Sequence, residues 1–480
     1  MRHRAQSTLK RRVNRRRFLK LTGATAVAAV VSEPLFAIEA LAAPLTRHNI
    51  SGLTASSKII KSYEKAIGVM QALSISNPSD PTGWIYQAEI HGCPQPPAHT
   101  AWGTCQHNQF FWAWHRMYLY WFERIIRKKS GDADWTLPFW AWDTPSERHI
   151  PPLFRDPTSK LFSSDRVDKM NDGTGHLGAT DTDVSGALSD TYFTSTMGGG
   201  ANDDIQGPHG YVHVKVGKGF ADFSKTAKDP LFWLHHCNVD RLWQVWRSKH
   251  GGSDPTGDAS WTGQTFTFFD ENGKQLTMTG CDVLNTATQL KYQYEGVSNP
   301  LAEPCPNTVH VVPPTFAPFP FTFPPIPPLA AQPVHIPLPI PPELQRQLLN
   351  IVADPTKTVY LQLADLTADV QPGVTWATFV GPQSAPRPAV LSGKVPADPQ
   401  SPFYVGSVYL FGHGIKNELP NMPTLLSFPL NRALAASSDR PLYLTFVAQG
   451  IVVGNAMVTQ VNANVKIGKA SIVVRTLKRG

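Results

Sequence analysis

Asp229-Pro230-Leu231-Phe232-Trp233-Leu234-His235-His236-Cys237-Asn238-Val239-Asp240 decides how the rest of this chain is read. Asp229 is a capping residue and Pro230 suits the first helical position, so a helix starts here and its apolar spacing carries it over 230–249. His236 and Asp240 are four apart on one face, whereas His235 points about 100° away and is expected to stand aside. Upstream, Pro208-His209-Gly210-Tyr211-Val212-His213 offers two more imidazoles four residues apart on one face. With His236 they make a set of three. Any one of these histidines has a plain alternative as a core residue bonded to a carbonyl. A second set weakens that alternative.

The second set is His91, then Cys105-Gln106-His107, then Phe111-Trp112-Ala113-Trp114-His115-Arg116, within a helical spacing over 108–129. Six imidazoles in two groups of three suit copper, zinc or iron by ligand softness. No carboxylate stands at ligand spacing, so an iron site of two histidines and one carboxylate is not offered. Helical spacing also recurs over 51–73, and the polar stretch 143–207 reads as loops.

The stretches Phe111–Glu123 and Asp229–Asp240 resemble the two copper signatures of the tyrosinase superfamily, which includes tyrosinases, catechol oxidases and molluscan haemocyanins. Trp135-Thr136-Leu137-Pro138-Phe139-Trp140-Ala141-Trp142-Asp143 and Tyr292-Gln293-Tyr294 resemble core segments of the plant polyphenol oxidase branch. The resemblance covers about 60–300. It implies a mainly α fold, a helical bundle holding two copper ions, with copper A on His91, His107 and His115 and copper B on His209, His213 and His236. It further implies a thioether between Cys105 and His107, with Cys93 as another thioether partner or a Cys93–Cys105 disulfide as alternatives. Phe223, thirteen residues before His236, takes the place of a bulky gate over copper B; a buried core Phe is the plain alternative. Asp240 would orient a ligand imidazole or pair with Arg241 or Arg116, its plain alternative being a helix-surface Asp.

Three departures qualify the family pattern. His107 and His115 are separated by seven residues, one fewer than usual. Ile205 stands four before His209, where a water-holding Glu is usual, with Asp204 beside it as a substitute base. Gly210 follows His209, where strong monophenol hydroxylases often carry Asn. The resemblance therefore implies an oxidase taking a small phenolic substrate and O2, converting o-diphenols to o-quinones with weak or absent monophenol hydroxylation. Its alternatives are full monophenolase or o-aminophenol oxidase activity, or a latent or haemocyanin-like O2-binding protein. A zinc or iron hydrolase is a further rival.

At 480 residues the chain suggests two domains. Residues 1–42 hold nine Lys/Arg against two Glu, seven of the eight net positive charges, so the remainder is nearly neutral and nothing points to nucleic acid. Asn14-Arg15-Arg16-Arg17-Phe18-Leu19-Lys20, the apolar run Leu21–Val31 and Ala40-Leu41-Ala42 resemble a twin-arginine export signal with its cleavage site. Export to the periplasm or beyond, without stable membrane association after cleavage, is the expectation. Five cysteines leave at least one outside intrachain disulfides, and Cys281–Cys305 is the candidate pair. The catalytic domain is expected over 43–305, a Pro-rich linker over 306–345 and a β-rich domain over 346–480. Strand-like runs at 359–363, 408–411 and 442–446 suggest that this last part is a small sandwich or barrel, able to set a side chain into the active-site mouth.

Overall fold

A computed structural model describes residues 43–93, 99–194, 199–306, 315–411, 414–415, 425–437 and 440–476; the stretch 1–42, expected to be an export signal, lies outside them. Five helices frame the catalytic half: α1 (Lys58–Ser76), α2 (Trp84–His91), α3 (Phe111–Ser130), α4 (Gln206–Val216) and α5 (Pro230–Lys249). None of the described helices is long and apolar enough to cross a membrane. Helix α5 begins as its sequence dictates: the Asp229 side chain accepts from the Leu231 amide and Pro230 occupies the first turn. Helix α3 ends on Gly131 at φ +76°, a left-handed closure that glycine takes without steric cost. Both helices are buried along most of their length. Phe122 and Trp233 stack across them with centroids 3.4 Å apart.

The apolar faces of α3 and α5 also enclose charge. Arg47 and Arg116 are fully buried, and Asp240 receives Arg116 Nε at 2.5 Å, Arg47 Nη1 at 3.2 Å, and the hydroxyls of Tyr292 and Tyr294 at 2.6 and 2.5 Å. Burial alone would raise the Asp240 pKa, but Arg116 and Arg47 hold it below the usual value. Four donors around one carboxylate satisfy it and tie the N-terminal strand Leu45–Arg47, α3, α5 and Tyr292–Tyr294 together. Cys281 and Cys305 are disulfide-bonded, with Cα atoms 5.6 Å apart, as the sequence suggested.

The β-rich part is a sandwich of two four-stranded sheets. One runs Tyr404–Val408, Thr375–Gly381, Leu442–Gln449, Val334–Leu338; the other runs Leu425–Pro429, Lys357–Thr367, Lys466–Thr476, Thr315–Pro318. Leu361 and Ile472 of one sheet and Val380 and Leu444 of the other line one apolar core. The linker expectation for 306–345 is corrected here. Thr315–Pro318 and Val334–Leu338 are the edge strands of the two sheets. Proline lacks a ladder donor and tolerates an edge, so a Pro-rich run serves as sandwich border.

The sandwich is knit into the catalytic half. Val452 and Val453 pair as strand with His176 and Gly175. Arg475 bonds Asp190 at 2.7 Å, and Tyr211 on α4 exchanges two hydrogen bonds with the Ser407 backbone. Lys215, fully buried on α4, donates to the carbonyls of Gln449 and Gly450 at 2.6 and 2.7 Å and pairs with Asp181 at 3.3 Å.

Candidate metal centre

Helix α4 presents His209 and His213 to the same space as His236 of α5. His236 Nε2 lies 3.3 Å from His209 Nε2 and 3.3 Å from His213 Nε2. Two nitrogens each about 2.0–2.1 Å from one tetrahedral ion stand roughly 3.3 Å apart, so each of these two pairs has the spacing of a shared metal. His235 offers a nitrogen within 4.8 Å of the same group, but its ring stacks on His209 at 5.2 Å and neither of its nitrogens is hydrogen-bonded.

The other group draws on three different contexts. His91 closes α2, His107 sits in the loop before α3, and His115 lies one turn into α3. One donor atom each of His91, Cys105, His107 and His115 falls within 4.8 Å of all the others. Neither nitrogen of the fully buried His91 makes a hydrogen bond of normal geometry. The seven-residue gap from His107 to His115 thus still delivers His107 to the group. His115 stacks on His236 with centroids 4.4 Å apart and planes within 10°, so the two groups share a wall.

Backbone carbonyls set the tautomers. His115 Nδ1 donates to Phe111 O at 2.8 Å and His213 Nδ1 to Phe220 O at 2.9 Å, which leaves each Nε2 as a lone pair for a cation. Thr226 Oγ1 stands 3.0 Å from His213 Nδ1. Burial drives the pKa of His91, His209, His213, His235 and His236 well below the imidazole norm, and neighbouring imidazoles add to it. His115 falls to about 3 for the same reason, despite the opposing pull of Phe111 O and Asp240. Neutral, buried nitrogens with no proton to lose are the chemistry of a metal-binding set.

One expectation lands elsewhere than foreseen. Phe223 packs on His91 at 4.5 Å and His107 at 5.5 Å, on the A side and not over the B histidines. Burial drives the Asp204 carboxyl well up, Asp190 and Asp203 adding to it and Arg475 and the Gly200 backbone opposing, and the residue lines a cavity that His107 also borders. Asp240 takes one of its expected places: it pairs with Arg116 and not with an imidazole, while Arg241 bonds Asp143 at 2.7 Å. As for Cys105, its Sγ rests 3.4 Å from His115 Nε2.

Phe411, which no spacing in the sequence singled out, reaches from the sandwich into the centre. Its ring stacks on His213 at 3.9 Å with planes within 10°, and lies 5.9 Å from His107 and 5.6 Å from His209. Two residues before it, Tyr409 covers Gly210: a Cβ there would stand 2.1 Å from Tyr409 Cε2. Beside this plug, a cavity of about 540 Å³ runs between the two halves, walled by Gln106, His107, Asn108 and Tyr211 on one side and by Tyr409 and Phe428 on the other.

Comparison with known proteins supports the same assignment. Residues 81–187 and 163–249 match the family model of the common central domain of tyrosinase, and 256–307 match the polyphenol oxidase middle domain. A tyrosinase of Hahella sp. (strain CCB-MM4) is 32% identical over 299 residues, 52% of this chain and 63% of that protein. The latent form of a polyphenol oxidase from Prunus armeniaca is 29% identical over 280 residues, 50% of this chain and 46% of the relative. The chain thus spans less than two thirds of the length of these relatives. In fold it is similar to a latent aurone synthase, a polyphenol oxidase (TM-score 0.60, 20% identity, 91% of this chain and 90% of that one). It is also similar to latent apple tyrosinase (TM-score 0.57, 20% identity, 90% and 99%).

Proposed function

Because residues 81–249 of this chain belong to the tyrosinase family, we propose that it oxidises o-diphenols to o-quinones with O2 at two copper ions, and that its own sandwich holds it latent. The observation that carries the proposal is the approach of His236 Nε2 to within 3.3 Å of both His209 Nε2 and His213 Nε2 beside a second histidine group. His91, His107 and His115 would hold copper A and His209, His213 and His236 copper B. The bound pair supplies two-electron redox chemistry, accepting from the catechol and donating to O2.

The chain's own residues do the rest. His115 and His213, fixed by their carbonyl partners, keep their donor atoms aimed without a reorientation step. The face of His213 now covered by Phe411 is where a planar phenol would lie, shielded from water by Phe223 and Phe232. While Phe411 occupies that face, a phenol is excluded. Monophenol hydroxylation needs a base to take the phenolic proton, and fully buried Ile205 and bare Gly210 provide none. An Asn at 210 would collide with Tyr409. Weak monophenol hydroxylation follows from this local chemistry. Delivery through the twin-arginine route belongs to the same proposal, since a folded two-domain protein fits that route.

The test is the copper-loaded chain assayed on a catechol, a monophenol and an o-aminophenol, before and after limited proteolysis, alongside Phe411→Ala. Catechol oxidation that rises severalfold on cleavage and in the intact variant, with little monophenol turnover, is the expected result. Reversible O2 binding with no catechol turnover in any form identifies an O2 carrier instead.

A further inference from the structure

The two histidine groups come from segments far apart in the chain, and one side chain ties those segments together. We propose that Asn202 is a positioning residue for the centre: its amide fixes the turn between His107 and His115 against the segment that leads into α4, and so sets how far apart the two ions are held. The proposal rests on the two-copper reading above.

The turn needs such a partner. Helix α3 starts on Phe110, which makes no side-chain cap bond, and the first amides of a helix have no acceptor within it. The Trp112 amide donates instead to Asn202 Oδ1 at 3.0 Å, ninety positions away in sequence. From Nδ2 the same side chain donates to Asn108 O at 3.0 Å. Asn108 directly follows His107, and Trp112 stands three positions before His115. One amide therefore grips the turn at two points between two A-side histidines. Asparagine suits this task because its side chain carries an acceptor and a donor side by side.

Asn202 is itself held. It is fully buried in the short helix Ala201–Asp204. Its backbone amide donates to Phe193 O at 2.8 Å, and the Phe193 ring packs on Trp112 at 5.7 Å and on Trp246 at 5.8 Å. Gly200, at φ +122°, permits that approach, since a Cβ there would stand 2.9 Å from the Phe193 carbonyl. On the other side, Gln206 in the first turn of α4 donates from Nε2 to Asn202 O at 3.2 Å, three residues before His209. The rings of His107 and His209 face each other across this junction with centroids 5.5 Å apart. A buried amide bonded to both segments holds that spacing, as a connected polar network does when every member is satisfied.

Copper content and electron paramagnetic resonance of the intact chain loaded with copper(II) test the proposal. Two cupric ions held close together pair their unpaired electrons and fall silent, whereas ions moved apart each give a signal. The wild type should bind two ions and be largely silent. Asn202→Ala removes both bonds to the turn. The double variant Asn202→Asp with Asp203→Asn keeps the net charge and the acceptor for Trp112, but deprives Asn108 O of its Asn202 donor. Both should show a severalfold rise in visible copper, and only Asn202→Ala should lower the unfolding midpoint of the metal-free chain. Asn431→Ala is the control: Asn431 likewise accepts from a backbone amide, Val359 at 2.8 Å, and donates to a carbonyl, Lys357 at 3.0 Å, but within the sandwich. It should lower the midpoint and leave the copper silent. Silent copper in both position-202 variants overturns the proposal, as does an equal rise in Asn431→Ala or a double variant that fails to fold. Fewer than two copper ions in the wild type overturns the two-copper reading, whereas two ions that are visible in the wild type overturn this proposal alone.

Discussion

The two halves of the metal centre are built by different means. The B half comes from two regular helices: α4 sets His209 and His213 one turn apart and α5 brings His236 against both at 3.3 Å. The A half comes from a helix end, a loop and a helix start, and it takes in Cys105 as well. Helical periodicity fixes the B donors before any partner arrives. The A donors depend on long-range packing: the Cys105–His107 segment is held between α3, Phe223 and the sandwich residue Phe411. Regular elements give a site its precision, and a loop gives it room to vary.

Removing a B ligand is the harshest way to probe this difference. His213→Ala should lose one of two bound metals and reduce catechol oxidation to background, read by metal content and assay. His107→Ala should retain partial A occupancy, because the loop that carries position 107 can let the remaining A donors close on the ion, whereas α4 holds the B donors fixed. Equal metal loss in both variants breaks the contrast.

The next largest effect concerns what braces the B helix. Lys215→Met leaves the buried Asp181 without its cation and two carbonyls of the sandwich without a donor. Loss of about 3–5 kcal/mol in denaturant unfolding is expected. Burial raises the Asp181 pKa and lowers that of Lys215, so each partner relies on the other for its charge. An unchanged midpoint removes Lys215 from the interface account.

Acidity bears on both halves. His91, His115, His209, His213, His235 and His236 all have folded pKa values below the ordinary 6.5, so the unfolded chain binds more protons as pH falls. Stability of the metal-free chain is present above pH 6.5 and should decline steadily below it, down to about 3 where His115 titrates. Unfolding midpoints measured across that window check the sign; a midpoint that rises on acidification contradicts it.

The smallest expected effect is at Asp204. Burial, with Asp190 and Asp203 adding to it, raises its carboxyl pKa, which works against the ionised form a base needs. Asp204→Ala should therefore leave the ratio of monophenol to catechol turnover unchanged. A selective loss of hydroxylation would restore it as the missing base.

Legibility followed the same division. The i, i+4 pair at 209 and 213 and the cap and proline that start α5 rest on helical geometry, which is local. Phe223 was read as standing over copper B because its distance in sequence points to His236; its ring instead turns to His91 through the packing of the 217–229 loops. The Pro-rich segment was read as a spacer because composition reports chain stiffness and says nothing about which sheet edge accepts it.

By itself the sequence determined the donor types, the presence of two histidine groups and of both helical and strand-rich parts, because each depends on residue identity and short-range periodicity. Only the tertiary structure decided that Phe411 caps His213, that Tyr409 requires a bare Gly210, and that Cys105 faces His115. Those contacts join residues far apart in the chain, and their geometry is set by how the sandwich docks on α4.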